Sequence, residues 1–204
     1  MKRGMVVPNT EKKNLIASIY EWVEVICMAL FVVVLLFTFV CRLVTVDGPS
    51  MNNTLQHGDR LIISNLFYKP DIGDVVVLQN ANSVEFPAPI IKRVIATEGE
   101  TVDIDPKTWT VTVTDKDGNV MVLDEMYVNR VDGNMRIGTY SDTYFYKNAI
   151  TENEYPHTVP KGHVFVMGDN RNSSLDSRLL GDIDERMILG KAYVRVLPNP
   201  QIGF

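Results

Sequence analysis

From Val25 to Cys41 the chain carries no charged residue, and the run is mostly Val, Leu, Phe, Ile and Met between Glu24 and Arg42. As a helix this core is about 25 Å long. Trp22, Leu43 and Val44 extend it toward the ~30 Å of a bilayer's hydrocarbon. The core helix of a soluble protein is normally amphipathic, whereas this run is apolar on every face. The pattern predicts one membrane-spanning helix over residues 22–44, a short segment 1–21 before it, and a single domain, 45–204, after it. Lys2, Arg3, Lys12 and Lys13 precede the uncharged run and Arg42 alone closely follows it. The positive-inside bias then puts the N-terminal segment in the cytoplasm and the domain outside a cell membrane crossed once. A cleavable leader would share the basic start. The run is long for such a leader, however, and Arg42-Leu43-Val44-Thr45-Val46 offers no small-x-small exit, so retention is expected.

With 204 residues, the chain has room for that anchor and one sizeable domain. A formal net charge of -5 argues against a general nucleic-acid binder, which would show a clustered basic face. Cys27 and Cys41 are the only cysteines and both fall in the predicted span, which leaves the domain without a disulfide framework or a thiolate metal site.

Beyond the anchor, runs rich in Val, Ile and aromatic residues recur between turn signals: 60–64, 74–78, 90–96, 101–105, 109–114, 119–123, 163–167 and 191–197. They predict a mainly β domain. Asp117-Gly118 between two alternating runs marks a hairpin. Asp115-Lys116-Asp117-Gly118-Asn119 superficially matches a calcium loop, but its glycine comes one step early and Met126 stands where the closing glutamate belongs. Val131 to Pro160 has weak periodicity and reads as an excursion from the sheet.

Three segments carry chemistry. In Val46-Asp47-Gly48-Pro49-Ser50-Met51-Asn52-Asn53-Thr54-Leu55, Gly48 permits close backbone approach and Pro49 fixes one dihedral before a serine, a platform suited to an exposed nucleophile. In Ile90-Ile91-Lys92-Arg93-Val94-Ile95, period-two alternation gives Lys92 the apolar neighbours Ile90 and Val94 on its own face. To act as a base near neutrality a lysine must lose about 3 pKa units, roughly 4 kcal/mol, and desolvation has the right sign. Directly after the run 163–167 comes Gly168-Asp169-Asn170-Arg171-Asn172-Ser173-Ser174-Leu175-Asp176-Ser177-Arg178. Pairing among its own carboxylates and guanidiniums would hold this loop in one shape, with Ser174 free to orient an amine.

In this order the three segments resemble bacterial type I signal peptidases, especially their Gram-positive branch. Ser50-Met51-x-x-Thr54-Leu55, Gly73-Asp74-Val75-Val76, Lys92-Arg93-Val94 and the box from Gly168 to Arg178, together with the anchor, carry the resemblance over nearly the whole chain. It implies a membrane-anchored serine endopeptidase that cuts signal peptides from secreted preproteins after a small-x-small motif. Ser50 would be the nucleophile and Lys92 the general base. Asp169, Arg171, Ser174, Asp176 and Arg178 would support the site, with Ser174 positioning Lys92. No cofactor is implied, and the partners are signal peptides and the lipid bilayer. Gly48 stands where some members carry an oxyanion-assisting serine, and Asn53 where many carry proline. That leaves the Ser50 backbone N–H as one oxyanion donor, beside a second that the sequence does not identify. Val46, Gly48, Met51, Ile90 and Ile91 are the expected substrate-facing residues, although Val46, Met51, Ile90 and Ile91 read almost as well as core or membrane-facing residues.

Other readings have less behind them. His57, His157 and His163 supply imidazoles for a Ser-His-Asp triad, yet none lies in a triad motif, and the spacing of His157 and His163 fits no common zinc site. Self-cleaving repressor-type Ser-Lys peptidases are soluble, and this chain has an anchor. A non-catalytic, membrane-tethered assembly factor on the same fold would have no need of both Ser50 and Lys92.

Overall fold

A computed structural model describes residues 9–79, 88–105, 108–128, 130–131, 134–135 and 155–204. It divides into two compact units, Met1–Cys41 and Arg42–Phe204.

The first unit is helix α1, Asn9–Phe39, of 31 residues. Over Ala17–Leu35 it is long and apolar enough to cross a membrane by length and composition. Trp22, Ile26, Phe31 and Val34, on different faces of the helix, are all exposed.

The helix ends five residues before the sequence pattern placed the end of the span. Arg42–Thr45 instead forms strand β1 of the second unit, antiparallel to β2, Arg60–Ser64. Leu43 and Val44 pair with Ile62 and Leu61, and Val44 packs onto a buried cluster, so tertiary pairing decides what apolar content alone leaves open. Cys41 likewise lies past the helix.

The second unit continues with β3 (Val75–Leu78), β4 (Ile90–Thr97), β5 (Thr101–Ile104), β6 (Val111–Thr114) and β7 (Val120–Val122). Next come the two-residue strands β8 (Arg130–Val131), β9 (Asn134–Met135) and β10 (His157–Thr158), then β11 (His163–Met167) and helix α2 (Ser177–Leu180). The chain closes with β12 (Ile183–Asp184), β13 (Ile188–Leu197) and β14 (Gln201–Ile202). The large sheet runs β1-β2-β13-β3-β4-β11-β12 with β14 on β13, and the small sheet runs β10-β5-β6-β7. All eight strand-like runs read from the sequence form strands, and the domain is mainly β. Asp115 caps the β6–β7 turn by accepting from the backbone N–H groups of Asp117 and Asn119, which confirms the hairpin over the calcium loop. Most of the excursion 131–160 lies outside the described residues.

Strand β4 organises the domain. Its pairing with β3 on one side and β11 on the other buries every residue from Ile91 to Ala96. Ile90 and Val94 join one apolar cluster, while Ile91 and Ile95 join two others, as the alternation requires.

Candidate active site

The Ser50 turn leaves β1 through Val46, which is buried, and winds into a single helical turn. Asn52 N–H donates to Pro49 O, and Thr54 and Leu55 N–H both donate to Met51 O. Gly48 takes φ +91°, a left-handed conformation that costs glycine little. Asn53 takes φ +88°, which proline cannot adopt, so here the usual family residue is replaced by one that tolerates positive φ. Met51 and Leu55 anchor the turn from below, at 1 % and 0 % exposure. Ser50 itself stays partly exposed, and among the described residues no hydrogen bond uses its backbone N–H.

Lys92 reaches this turn from β4. Its Nζ donates to Ser50 Oγ at 2.8 Å, although the residue is only 3 % exposed. Burial lowers its pKa to about 8 from 10.5; Asp176 and Asp169 pull it up and Arg178 pushes it down, with desolvation dominant.

The loop after β11 closes over both. Gly168 N–H donates to Asp176 Oδ2, and Asn170 grips the turn twice, through N–H to Ser50 O at 3.0 Å and Nδ2 to Pro49 O at 3.1 Å. A Cβ on Gly168 would sit 2.2 Å from Ser174 Oγ and 2.5 Å from Ser50 O. Only glycine fits there, and the same crowding places the buried Ser174 side chain beside the Ser50 backbone.

Pairing within the box is only partly as expected. Asp176 and Arg178, both 0 % exposed, form a two-bond pair at 2.8 and 2.9 Å. Burial alone would raise the Asp176 pKa, but Arg178 holds it below the usual carboxylate value. Asp169 and Arg171, in contrast, turn outward to other elements. Asp169 receives Arg93 Nε and Nη2 at 2.9 and 2.7 Å, and Thr54 Oγ1 at 2.5 Å. Arg171 pairs with buried Glu125. Adjacent on β4, Lys92 and Arg93 therefore divide the work: one meets the serine and the other locks the loop. Arg93 also donates to Gly73 O at 2.7 Å and lies 4.1 Å from the Tyr127 ring centroid. Sequence reasoning named Arg93 only as a neighbour and missed Glu125 altogether, because these bonds join residues 76 and 46 positions apart.

Val46, Met51 and Ile91 do not form an open substrate surface. At 2, 1 and 8 % exposure they lie in the cluster beneath the turn, since the apolar floor that fixes the Ser50 turn is itself core. Gly48 and Ile90 remain partly exposed. The histidines find other partners: His57 pairs with Asp47, His157 with Asp182, and His163 bonds the Lys161 carbonyl. Among the described residues no group of three His, Cys, Asp or Glu side chains is placed to hold a metal.

A partly exposed serine hydroxyl thus lies against a buried, pKa-lowered lysine, and the comparisons with known proteins identify the family of the chain that carries them. The family model described as signal peptidase, peptidase S26, matches residues 19–197, and the chain belongs to that family of enzymes. Signal peptidase IB of Staphylococcus aureus (strain COL) is 32% identical over 184 residues, covering 89% of this chain and 91% of the relative. Probable signal peptidase I-2 of Synechocystis sp. is 31% identical over 212 residues, covering 97% and 84%. A crystal structure of a signal peptidase I from Enterococcus faecalis matches 61% of this chain and 97% of its own at 22% identity, with a TM-score of 0.38, too low to bear on the fold.

Proposed function

We propose that the chain is a membrane-anchored endopeptidase that cuts signal peptides from secreted preproteins, with Ser50 as nucleophile and Lys92 as general base. The observation that carries this reading is the 2.8 Å contact between Ser50 Oγ and a lysine whose burial holds its pKa near 8. At pH 7 about one such lysine in ten is neutral, against about three in ten thousand at the ordinary value, a gain of roughly 300-fold in competent base.

Neutral Lys92 takes the Ser50 proton as Oγ attacks the scissile carbonyl carbon. The Ser50 N–H receives the oxyanion. As the C–N bond breaks, the Lys92 ammonium gives its proton to the leaving amine, which departs as the mature chain. Water, deprotonated by Lys92, then hydrolyses the acyl-enzyme. Ser174 orients the amine, while Asp169, Arg171, Asp176 and Arg178 fix the loop. Gly48 and Ile90 are the substrate-facing positions, and small residues one and three before the cut are selected. The helix α1 anchors the enzyme with its N-terminus cytoplasmic and the domain 45–204 outside the cell membrane.

The test is cleavage of a purified precursor in detergent by the intact protein, Ser50→Ala and Lys92→Ala. Release of the mature chain at a small-x-small site by the intact protein alone, with both variants folded, supports the dyad. Equal cleavage by all three would reject the dyad, and no cleavage by any of them would replace the reading with that of a tethered, non-catalytic factor.

A further inference from the structure

We propose that Arg195 is a positioning residue for this site, a clasp that ties the Ser50 turn at Thr54 to the segment Asn199–Phe204. The inference rests on the Ser50/Lys92 reading and adds a residue to it. Arg195 lies on β13, and its side chain is 17 % exposed. Its planar fork spends all three nitrogens across two segments. Nη1 donates to Thr54 O at 3.1 Å and to Asp59 Oδ2 at 3.3 Å, Nε donates to Asn199 O at 3.0 Å, and Nη2 donates to Gln201 Oε1 at 2.5 Å.

Thr54 is thereby held at three atoms. Its N–H closes the turn on Met51 O, its hydroxyl donates to Asp169, and its carbonyl receives Arg195. Asp59, on the other side, accepts from Gln56 N–H and so fixes the exit of the same turn. The far end of the segment returns to the site. Ile202 pairs with Val194, Gly203 N–H donates to Tyr193 O, and Phe204 packs on the cluster of Val46, Met51 and Leu55. The carbonyl of Phe204 accepts from Arg93 Nη1 at 3.3 Å. Arg93, Asp169, Thr54, Arg195 and the segment ending at Phe204 thus form a closed circuit around the nucleophile. With the circuit shut, Ser50 Oγ stays on Lys92 and Lys92 stays dry. Opened, the turn shifts away and water reaches the amine.

Arg195→Lys keeps a cation beside Asp59 but cannot bridge four acceptors, and Gln201→Ala removes one exposed strut from a residue that tolerates change. In the full chain in detergent, Arg195→Lys is expected to lower kcat on a signal-peptide precursor by about 10–100-fold with KM within about twofold. Its midpoint in kcat/KM against pH, which reports the free enzyme, should move up from about 8. Gln201→Ala should move both in the same direction by less. Competitive acetylation of Lys92 across pH, read by mass spectrometry, reports the same midpoint without any turnover. A midpoint that rises in Arg195→Lys while the parent fails to cleave would retain the clasp and reject the peptidase reading. Cleavage by the parent with kcat and midpoint unaltered in Arg195→Lys would overturn the clasp, as would a loss of Tm or kcat without a midpoint shift, which marks a merely structural role.

Discussion

The two main sheets both bury apolar residues, but they differ in the charges buried on and beside them. In the small sheet the buried positions are Val102, Ile104, Val111, Val113 and Val159 beside it, and none of the buried charges among the described residues lies on β5, β6, β7 or β10. Around β4 and β11 of the large sheet, Lys92, Arg93, Asp169, Arg171, Asp176 and Arg178 are all under 4 % exposed. The boundary cuts through single strands: on β4, Lys92-Arg93 gives way to Ile95-Ala96, and β11 runs from the apolar Phe165 and Met167 into Gly168-Asp169. Each buried ion costs several kcal/mol unless paired and hydrogen-bonded; Arg93 with Asp169, Arg171 with Glu125 and Asp176 with Arg178 are so paired, whereas Lys92 sets its charge against a neutral hydroxyl.

The comparison predicts its largest effect at Asp176. Asp176→Asn removes the charge of the carboxylate that makes the two-bond pair with Arg178, itself at 0 % exposure, and unfolding free energy in urea should fall by about 3–5 kcal/mol. Asp176 also pulls the Lys92 pKa up, so in whatever variant remains folded the midpoint of cleavage against pH should move below 8. A loss under about 1 kcal/mol would mean that the charged half of the domain is not held by this pair.

Lys92→Met should act in the opposite direction. In the folded chain the lysine titrates near 8, and in the unfolded chain near 10.5. Below pH 8 it is charged in both states and carries its full burial penalty, about 3 kcal/mol. Above 10.5 it is neutral in both and the penalty is gone. Wild-type stability therefore gains a contribution as pH rises from 8 to 10.5. Lys92→Met should be inactive, more stable than wild type by about 3 kcal/mol at pH 7 in urea, and lose that advantage near pH 10.5. An unchanged difference across this window would show that the lysine is not buried as a charge.

The features legible in the sequence were those with a local signature. A charged pair inside an apolar alternating run stands out, as does a dense polar box after a strand, and these placed Lys92 and the loop 168–178. The illegible ones depend on distant partners. Nothing near Asp169 says that its guanidinium is Arg93 rather than Arg171, and nothing near Thr54 announces Arg195. Apolar residues beside Ser50 read almost equally as pocket or floor, and only packing assigns Val46, Met51 and Ile91 to the floor. Leu43 and Val44 could continue the helix until the pairing of β1 with β2 was seen. Two-residue strands such as β10 and β12 are too short to show any period.

The smallest effect should come from the small sheet itself. Val113 is 1 % exposed on β6, opposite Val102 on β5, and shares a cluster with Phe165 and Met167 of β11 and Ile95 and Ala96 of β4. Val113→Ala removes two buried methyl groups and should cost about 2 kcal/mol in urea unfolding, by lost transfer free energy and the cavity left behind. Because none of the buried charges among the described residues lies on β5, β6, β7 or β10, kcat should stay within about twofold of wild type at temperatures well below Tm. Its contact with β4, however, begins just beyond Lys92 and Arg93, so the variant also asks whether a cavity at one end of a rigid strand is felt at the other. A fall in kcat together with the fall in stability would show β4 acting as a lever, and the division of the domain into a stabilising sheet and a reactive one would have to be abandoned.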